Sequence, residues 1–185
     1  MPILSAKEFL ENEDHRIRSG LNRLTSDINE NSSRSFGHSV VSDNVGTAIQ
    51  NGEYIGYLEM NGRVVAHGFG KEDTTVNGPH KTMYIHTFSV NSEYRGQGLC
   101  QKIVLEFVKK FKKHILYLTV RTEEGNVNES AIRCYEKNGF TMLPEVYRDH
   151  YDGKNNAMVR FPTSGKKSRR TMSRQTRRKK KKKKK

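Results

Sequence analysis

Residues 81–111, KTMYIHTFSVNSEYRGQGLCQKIVLEFVKKF, decide the fold. The first ten read as a strand. An amphipathic helix starts within residues 95–100, with Ile103, Val104, Phe107, Val108 and Phe111 on one face. At the join stand Gly96 and Gly98, where almost any other residue would start a helix better. Glycine is spent there most simply because something must approach the backbone. A helix N-terminus carries unpaired N–H groups and the positive end of the dipole, and both suit an anion. Arg95 adds charge beside it. The segment therefore reads as a pyrophosphate cradle, although a tight turn that merely needs glycine would look the same. It lacks the spacing of a P-loop and of a dinucleotide-binding fingerprint.

Working outward, Glu53 to Met60, Asn61-Gly62 and Arg63 to Gly70 read as a β-hairpin around an Asn-Gly turn. On the other side, ILYLTV (115–120) reads as a buried strand. Asn128 is placed to cap a helix that ends at Asn138-Gly139. Residues 140–147 and 156–161 read as two closing strands. Near the start, Ser5-Ala6-Lys7-Glu8 fits a capping box, followed by one or two helices to about Ile28. Residues 29–37 read as a polar loop, and 38–52 fit either a strand or a short helix. The order predicts an α+β fold with a mixed sheet.

The chain has 185 residues and a formal net charge of +14. Residues 164–185 hold 14 of its 34 Lys and Arg and no acid. Removing those 14 leaves 20 basic residues against 20 acidic ones in residues 1–163, so the excess lies wholly in the tail. Such a segment is too polar to bury itself, and disorder is expected. It suits nucleic acid, another polyanion or a nuclear-localisation receptor, or is simply solvated. The two cysteines, Cys100 and Cys134, show neither CxxC nor metal spacing, so neither a disulfide scaffold nor a metal site is expected. That pattern points to a reducing, intracellular compartment, cytoplasmic or nuclear. No run is apolar enough to span a membrane, and no secretory signal opens the chain.

VNSEYRGQGLCQKIVLEFV (90–108) resembles the acetyl-CoA-binding motif of the GCN5-related N-acetyltransferases (GNAT), Arg/Gln-x-x-Gly-x-Gly/Ala. Arg95 and Gly98 match, Gly96 is the family's usual second residue, and Cys100 stands where the family usually has Gly or Ala. Asn128, Ala131, Tyr135-Glu136-Lys137 and Gly139-Phe140 resemble a second segment of the same family. The resemblance covers roughly residues 53–161. Residues 1–50 do not show the family's first strand clearly and are expected to be a helical segment of the same domain. The tail from 164 lies outside it.

The resemblance implies a mixed, mostly antiparallel sheet flanked by helices. Strands 83–90 and 115–120 would splay to form an acetyl-CoA cleft. Backbone N–H groups of Gln97, Gly98, Leu99 and Cys100, with Arg95 and Gly96, would hold the pyrophosphate. The edge at Phe88, Ser89 and Val90 would bond the pantetheine arm, with Asn128 and Ala131 beside it. Asn128 would look the same as a plain N-cap. Tyr135 stands where the family keeps its general acid, since a phenol can protonate a thiolate of similar basicity. IHTFSV resembles the strand of aralkylamine acetyltransferases that carries a histidine in proton removal, which makes His86 the candidate base. Glu123 and Glu124 are the runners-up. His67 and His80 carry no comparable case. A ping-pong route through either cysteine is not expected.

The resemblance implies an amine acceptor. Tyr84 faces the same side as His86 and is placed to line its site. Tyr147 and Tyr151, in VYRDHYDGKNNAMVRF, resemble the tyrosines with which peptide acetyltransferases hold a substrate backbone. A protein or peptide amine is therefore expected, against a small amine, a polyamine or an amino sugar. The competing reading is an inactive module of the same fold, tethered to nucleic acid or another polyanion by the tail.

Overall fold

Asn61 and Gly62 both have left-handed backbone, with φ 51° and 73°, as the two-residue hairpin turn requires. In a computed structural model of the chain they join β2 (Tyr54–Met60) to β3 (Arg63–Asp73). The structure describes residues 2–12, 14–36, 45–75, 78–123, 126–144 and 155–162. The other strands are β1 (Ile3–Ser5), β4 (Thr82–Val90), β5 (Ile115–Glu123), β6 (Asn126–Val127), β7 (Thr141–Met142) and β8 (Asn155–Arg160). The helices are α1 (Ala6–Glu11), α2 (His15–Phe36), α3 (Val45–Gln50), α4 (Leu99–Lys110) and α5 (Glu129–Lys137). The sheet runs β1-β2-β3-β4-β5-β8-β7, with β6 paired to β5. Every pairing is antiparallel except β4 with β5. This is the mixed, mostly antiparallel sheet expected above.

Period-two alternation sends alternate residues of each strand to opposite faces. On one face Met83, Ile85, Leu116 and Leu118 meet Ile103, Val104 and Phe107 of α4. On the other, Ile55, Val64 and Phe69 meet Phe9, Ile17, Leu21, Leu24, Val45 and Ala48 of the three N-terminal helices. The capping box at Ser5 is formed: Glu8 N donates to Ser5 Oγ (3.2 Å) and Ser5 N donates back to Glu8 Oε2 (2.7 Å).

Several expectations need correction. Of the loop expected at 29–37, residues 29–36 are the last part of α2, which runs to Phe36, and residue 37 lies outside the described residues. Asn- and Ser-rich composition suggests a loop, but extending an existing helix costs little once its first turn has formed. Within 38–52, residues 45–50 are the helix α3. Residues 3–5 form a strand against β2, too short to show alternation in the sequence. The strand expected at 140–147 is β7, only Thr141–Met142 among the described residues.

The expectation against a disulfide is also corrected, because Cys100 and Cys134 form one. They lie 34 residues apart in sequence, but α4 and α5 pack side by side and bring them together. The inference to a reducing compartment, which rested on that expectation, loses its ground. The polybasic tail lies outside the described residues. Among the described residues no helix is long and apolar enough to cross a membrane.

Candidate active site

β4 and β5 pair only at Thr82–Ile115, Met83–Leu116 and Tyr84–Tyr117. Beyond that point β4 pairs with β3 as far as Val90, and β5 pairs with β8 as far as Arg121 and then with β6. The divergence has a local cause. Between the pairs Phe69–His86 and His67–Ser89, two residues of β4, Thr87 and Phe88, oppose the single Gly68. This is a β-bulge, and Thr87 sits in it at φ 54°. A bulge bends its strand away from a straight ladder. The edge of β4 at Phe88, Ser89 and Val90 therefore lies beyond its pairing with β5.

A 3-10 turn (Ser92–Tyr94) carries the chain from β4 to the cradle segment. Arg95, Gly96, Gln97 and Gly98 are exposed, Leu99 is buried and Cys100 half-buried. Gly96 and Gly98 have φ 77° and 72°, and a Cβ on either would meet nothing within 4 Å. The positive φ explains the glycines, and the open side leaves room for a group to approach. Gly98 is the N-cap of α4 and supplies no side-chain hydrogen bond to it. The first N–H groups of the helix are thus uncapped by a side chain, beside Arg95. This arrangement fits a pyrophosphate.

Tyr135 lies on α5 and is 8% exposed. Its ring is 6.0 Å from that of Phe88 and 6.2 Å from that of Phe140. Burial pushes its phenol well above the usual tyrosine range, and nearby Tyr84 adds to the rise. The phenol therefore keeps its proton at neutral pH. Asn128 caps α5, its Oδ1 accepting from Ala131 N at 3.1 Å and Ser130 Oγ at 2.8 Å. Ala131 packs against the α4 side of the core.

His86 stands on the other face, in a row of rings. Its ring centroid is 5.9 Å from Phe69 and 5.1 Å from Tyr84, which it stacks at 9°. Tyr84 in turn stacks on Tyr117 at 4.9 Å and shares a hydrogen bond with Thr119 Oγ1 at 3.1 Å. Tyr117 donates to Asp73 Oδ2 at 2.7 Å. His86 Nε2 lies 3.1 Å from Glu53 Oε2, a charge contact without hydrogen-bond alignment. His86 Nδ1 lies 3.0 Å from Thr87 Oγ1.

The structure thus gathers His86, Tyr84, Phe88, Tyr135 and the 95–100 segment around the divergence of β4 and β5. Sequence reasoning missed Glu53, Thr87, Tyr117 and Thr119. Glu53 precedes its strand by one residue and looks like a turn acid. Only the unusual placing of a charged residue against an apolar strand hinted at it. Glu123 ends β5. Glu124, Tyr147 and Tyr151 lie outside the described residues. His67 is buried and packs on Phe69 at 5.2 Å, without a hydrogen bond among the described residues.

Comparison with known proteins agrees with this architecture. Residues 19–140 match the model of the Acetyltransferase (GNAT) family. The chain belongs to that family, whose cofactor is acetyl-CoA. Similar solved structures include the ribosomal-protein-alanine N-acetyltransferase of Brucella melitensis, with TM-score 0.57 and 16% identity, covering 78% of this chain and 95% of that one. The ribosomal-protein-S18-alanine N-acetyltransferase of Escherichia coli gives 0.54 and 16%, covering 82% and 91%. A putative acetyltransferase of Salmonella typhimurium, yncA, solved with acetyl-CoA, gives 0.56 and 15%, covering 80% and 91%. At such identities the likeness is one of fold. None of the curated proteins compared with the chain matches it.

Proposed function

We propose that the protein acetylates a primary amine directly from acetyl-CoA, and that the amine belongs to a protein or peptide. The observation that carries this reading is the opening between β4 and β5 past Tyr84 and Tyr117, with the uncapped start of α4 beside it. Bound acetyl-CoA supplies its acetyl group as a thioester open to attack by an amine. Backbone N–H groups of Gln97 to Cys100, with Arg95 and the room left by Gly96 and Gly98, would hold the pyrophosphate. The backbone of Phe88, Ser89 and Val90 would bond the pantetheine arm as an added strand would, next to Asn128 and Ala131.

Proton traffic is assigned to residues on the two sides of the cleft. Tyr135 Oη, held protonated by burial, gives its proton to the leaving thiolate. His86 removes a proton from the acceptor ammonium, freeing the nitrogen lone pair. Tyr84, Tyr147 and Tyr151 are assigned to the acceptor. An inactive module tethered by the tail is less favoured, because a protonated buried phenol and a carboxylate-paired imidazole both stand beside the cleft.

The fold serves several kinds of amine: neighbours include enzymes named for ribosomal-protein alanine and for an aminoglycoside. The acceptor is therefore tested by competition. The full chain is given acetyl-CoA with a peptide bearing a free α-amine, an Nα-blocked lysine peptide, spermidine or tyramine. A kcat/KM for a peptide at least about tenfold above either small amine, roughly 1.4 kcal/mol of selectivity, is expected. Turnover confined to spermidine or tyramine would overturn the peptide reading.

A further inference from the structure

Two features beside His86 are costly, and the reading of His86 as base does not use either. Glu53 is 3% exposed. A buried carboxylate is expensive unless a partner compensates it. Its Oε1 accepts from Asn51 Nδ2 at 3.1 Å, and its Oε2 faces His86 Nε2 at 3.1 Å. Thr87 holds φ 54°. A β-branched residue there is an outlier that persists only where the surroundings enforce it. Its hydroxyl is the atom facing the other ring nitrogen, Nδ1. The His86 side chain is only 10% exposed, whereas Thr87 is half-buried.

We propose that Glu53, His86 and Thr87 work as one carboxylate–imidazole–hydroxyl relay; this rests on the reading of His86 as base. The Glu53 carboxylate faces Nε2 at 3.1 Å, and its charge favours the ring proton on that nitrogen, which leaves the Nδ1 lone pair toward the hydroxyl. The ammonium proton of the acceptor passes to Thr87 Oγ1, directly or through one water. The proton of Thr87 passes at the same time to Nδ1. The nitrogen of the amine keeps its electron pair and becomes nucleophilic, and His86 becomes an imidazolium facing the Glu53 carboxylate. No covalent bond other than N–H and O–H changes. Glu53 is a positioning residue, because it acts through His86. Thr87 is the group that meets the acceptor proton. Tyr84 stacks on His86 and Asn51 donates to Glu53, and both contacts help to hold the pair in place.

The test has three arms on the full chain. The first is 15N NMR of histidine-labelled protein, with His86 assigned through His86→Gln. The wild type is expected to show His86 protonated on Nε2 and bare on Nδ1, and Glu53→Gln to shift that tautomer balance. A wild-type ring protonated on Nδ1, or a ring indifferent to Glu53→Gln, would overturn the relay. The second is turnover of a free-α-amine alanine peptide. Glu53→Gln and Thr87→Val are each expected to lower kcat at least tenfold with the KM for acetyl-CoA unchanged, while Thr87→Ser keeps most of it. Wild-type kcat in Thr87→Val would overturn the relay. The third is the thermal shift given by acetyl-CoA, expected to be the same in all variants. If His86→Gln retains full turnover, the base reading itself fails. If only Glu53→Gln and Thr87→Val retain it, the base survives and the relay does not. Should Glu53→Gln not fold, Glu53→Asp replaces it, with partial retention of kcat expected.

Discussion

A disulfide joins Cys100, in the first turn of α4, to Cys134, the residue before Tyr135 on α5. It ties the helix whose N-terminus forms the cradle to the helix that carries the candidate acid. Closing a loop of 34 residues is worth roughly 3–4 kcal/mol in the chain-entropy model. Excess dithiol is therefore expected to lower the Tm by about 10 °C. The double variant Cys100→Ser/Cys134→Ser should start low and ignore the dithiol. Two freely titrating thiols in native, unreduced protein would contradict the bond.

Tyr135→Phe removes one oxygen from a buried site and keeps the ring contacts with Phe88 and Phe140. A general acid is worth about 10²–10⁴ in rate. Steady-state kinetics at neutral pH should show kcat falling by that order, with acetyl-CoA binding nearly unchanged. Unaltered kcat would remove Tyr135 from the chemistry.

At Gly98 a charge test must avoid a strain artefact, because φ is 72° there. Asn and Asp tolerate that region better than other side chains. Gly98→Asp is expected to weaken acetyl-CoA binding at least tenfold by facing a carboxylate toward the phosphates. Gly98→Asn, of nearly the same shape, should lose much less. Titration calorimetry distinguishes them, and equal losses would show that space rather than charge matters.

His67 sets a pH limit on stability. Desolvation lowers its pKa from 6.5 to about 4. The unfolded chain thus binds a proton that the folded one resists. Stability contributed by this residue is complete above pH 6.5 and is lost as pH falls toward 4, about 2 kcal/mol by pH 5. Urea unfolding at pH 7 and pH 5 should show this difference in the wild type, and His67→Leu should shrink it by about that amount. An equal pH dependence in both proteins would contradict the burial.

What the sequence disclosed follows from how locally each feature is encoded. Asn61-Gly62, the Ser5–Glu8 capping box, Asn128 and the Arg95–Gly98 segment each lie within a few residues, and each was legible. The divergence of β4 from β5 was legible only through family resemblance, because the bulge at Thr87 is defined by its partner Gly68 across the sheet. Glu53 and His86 are 33 positions apart, and Cys100 and Cys134 are 34 apart. Nothing in a linear pattern marks such pairs; packing of distant elements makes them. The end of α2 was misread for a related reason. Composition reports the preference of a segment in isolation, and 29–36 extends a helix already anchored by Ile17, Leu21 and Leu24.

The most direct test of the account is thermal unfolding of the full chain with acetyl-CoA and, separately, with ATP at equal concentration. The salt should be high enough to suppress binding of polyanions to the 14 basic residues of the tail. Acetyl-CoA at about a hundred times its dissociation constant should stabilise the protein by roughly 2.7 kcal/mol, and Gly98→Asp should remove about half of that shift or more. No shift, or one that ATP reproduces in full, would contradict a cofactor site between β4 and β5.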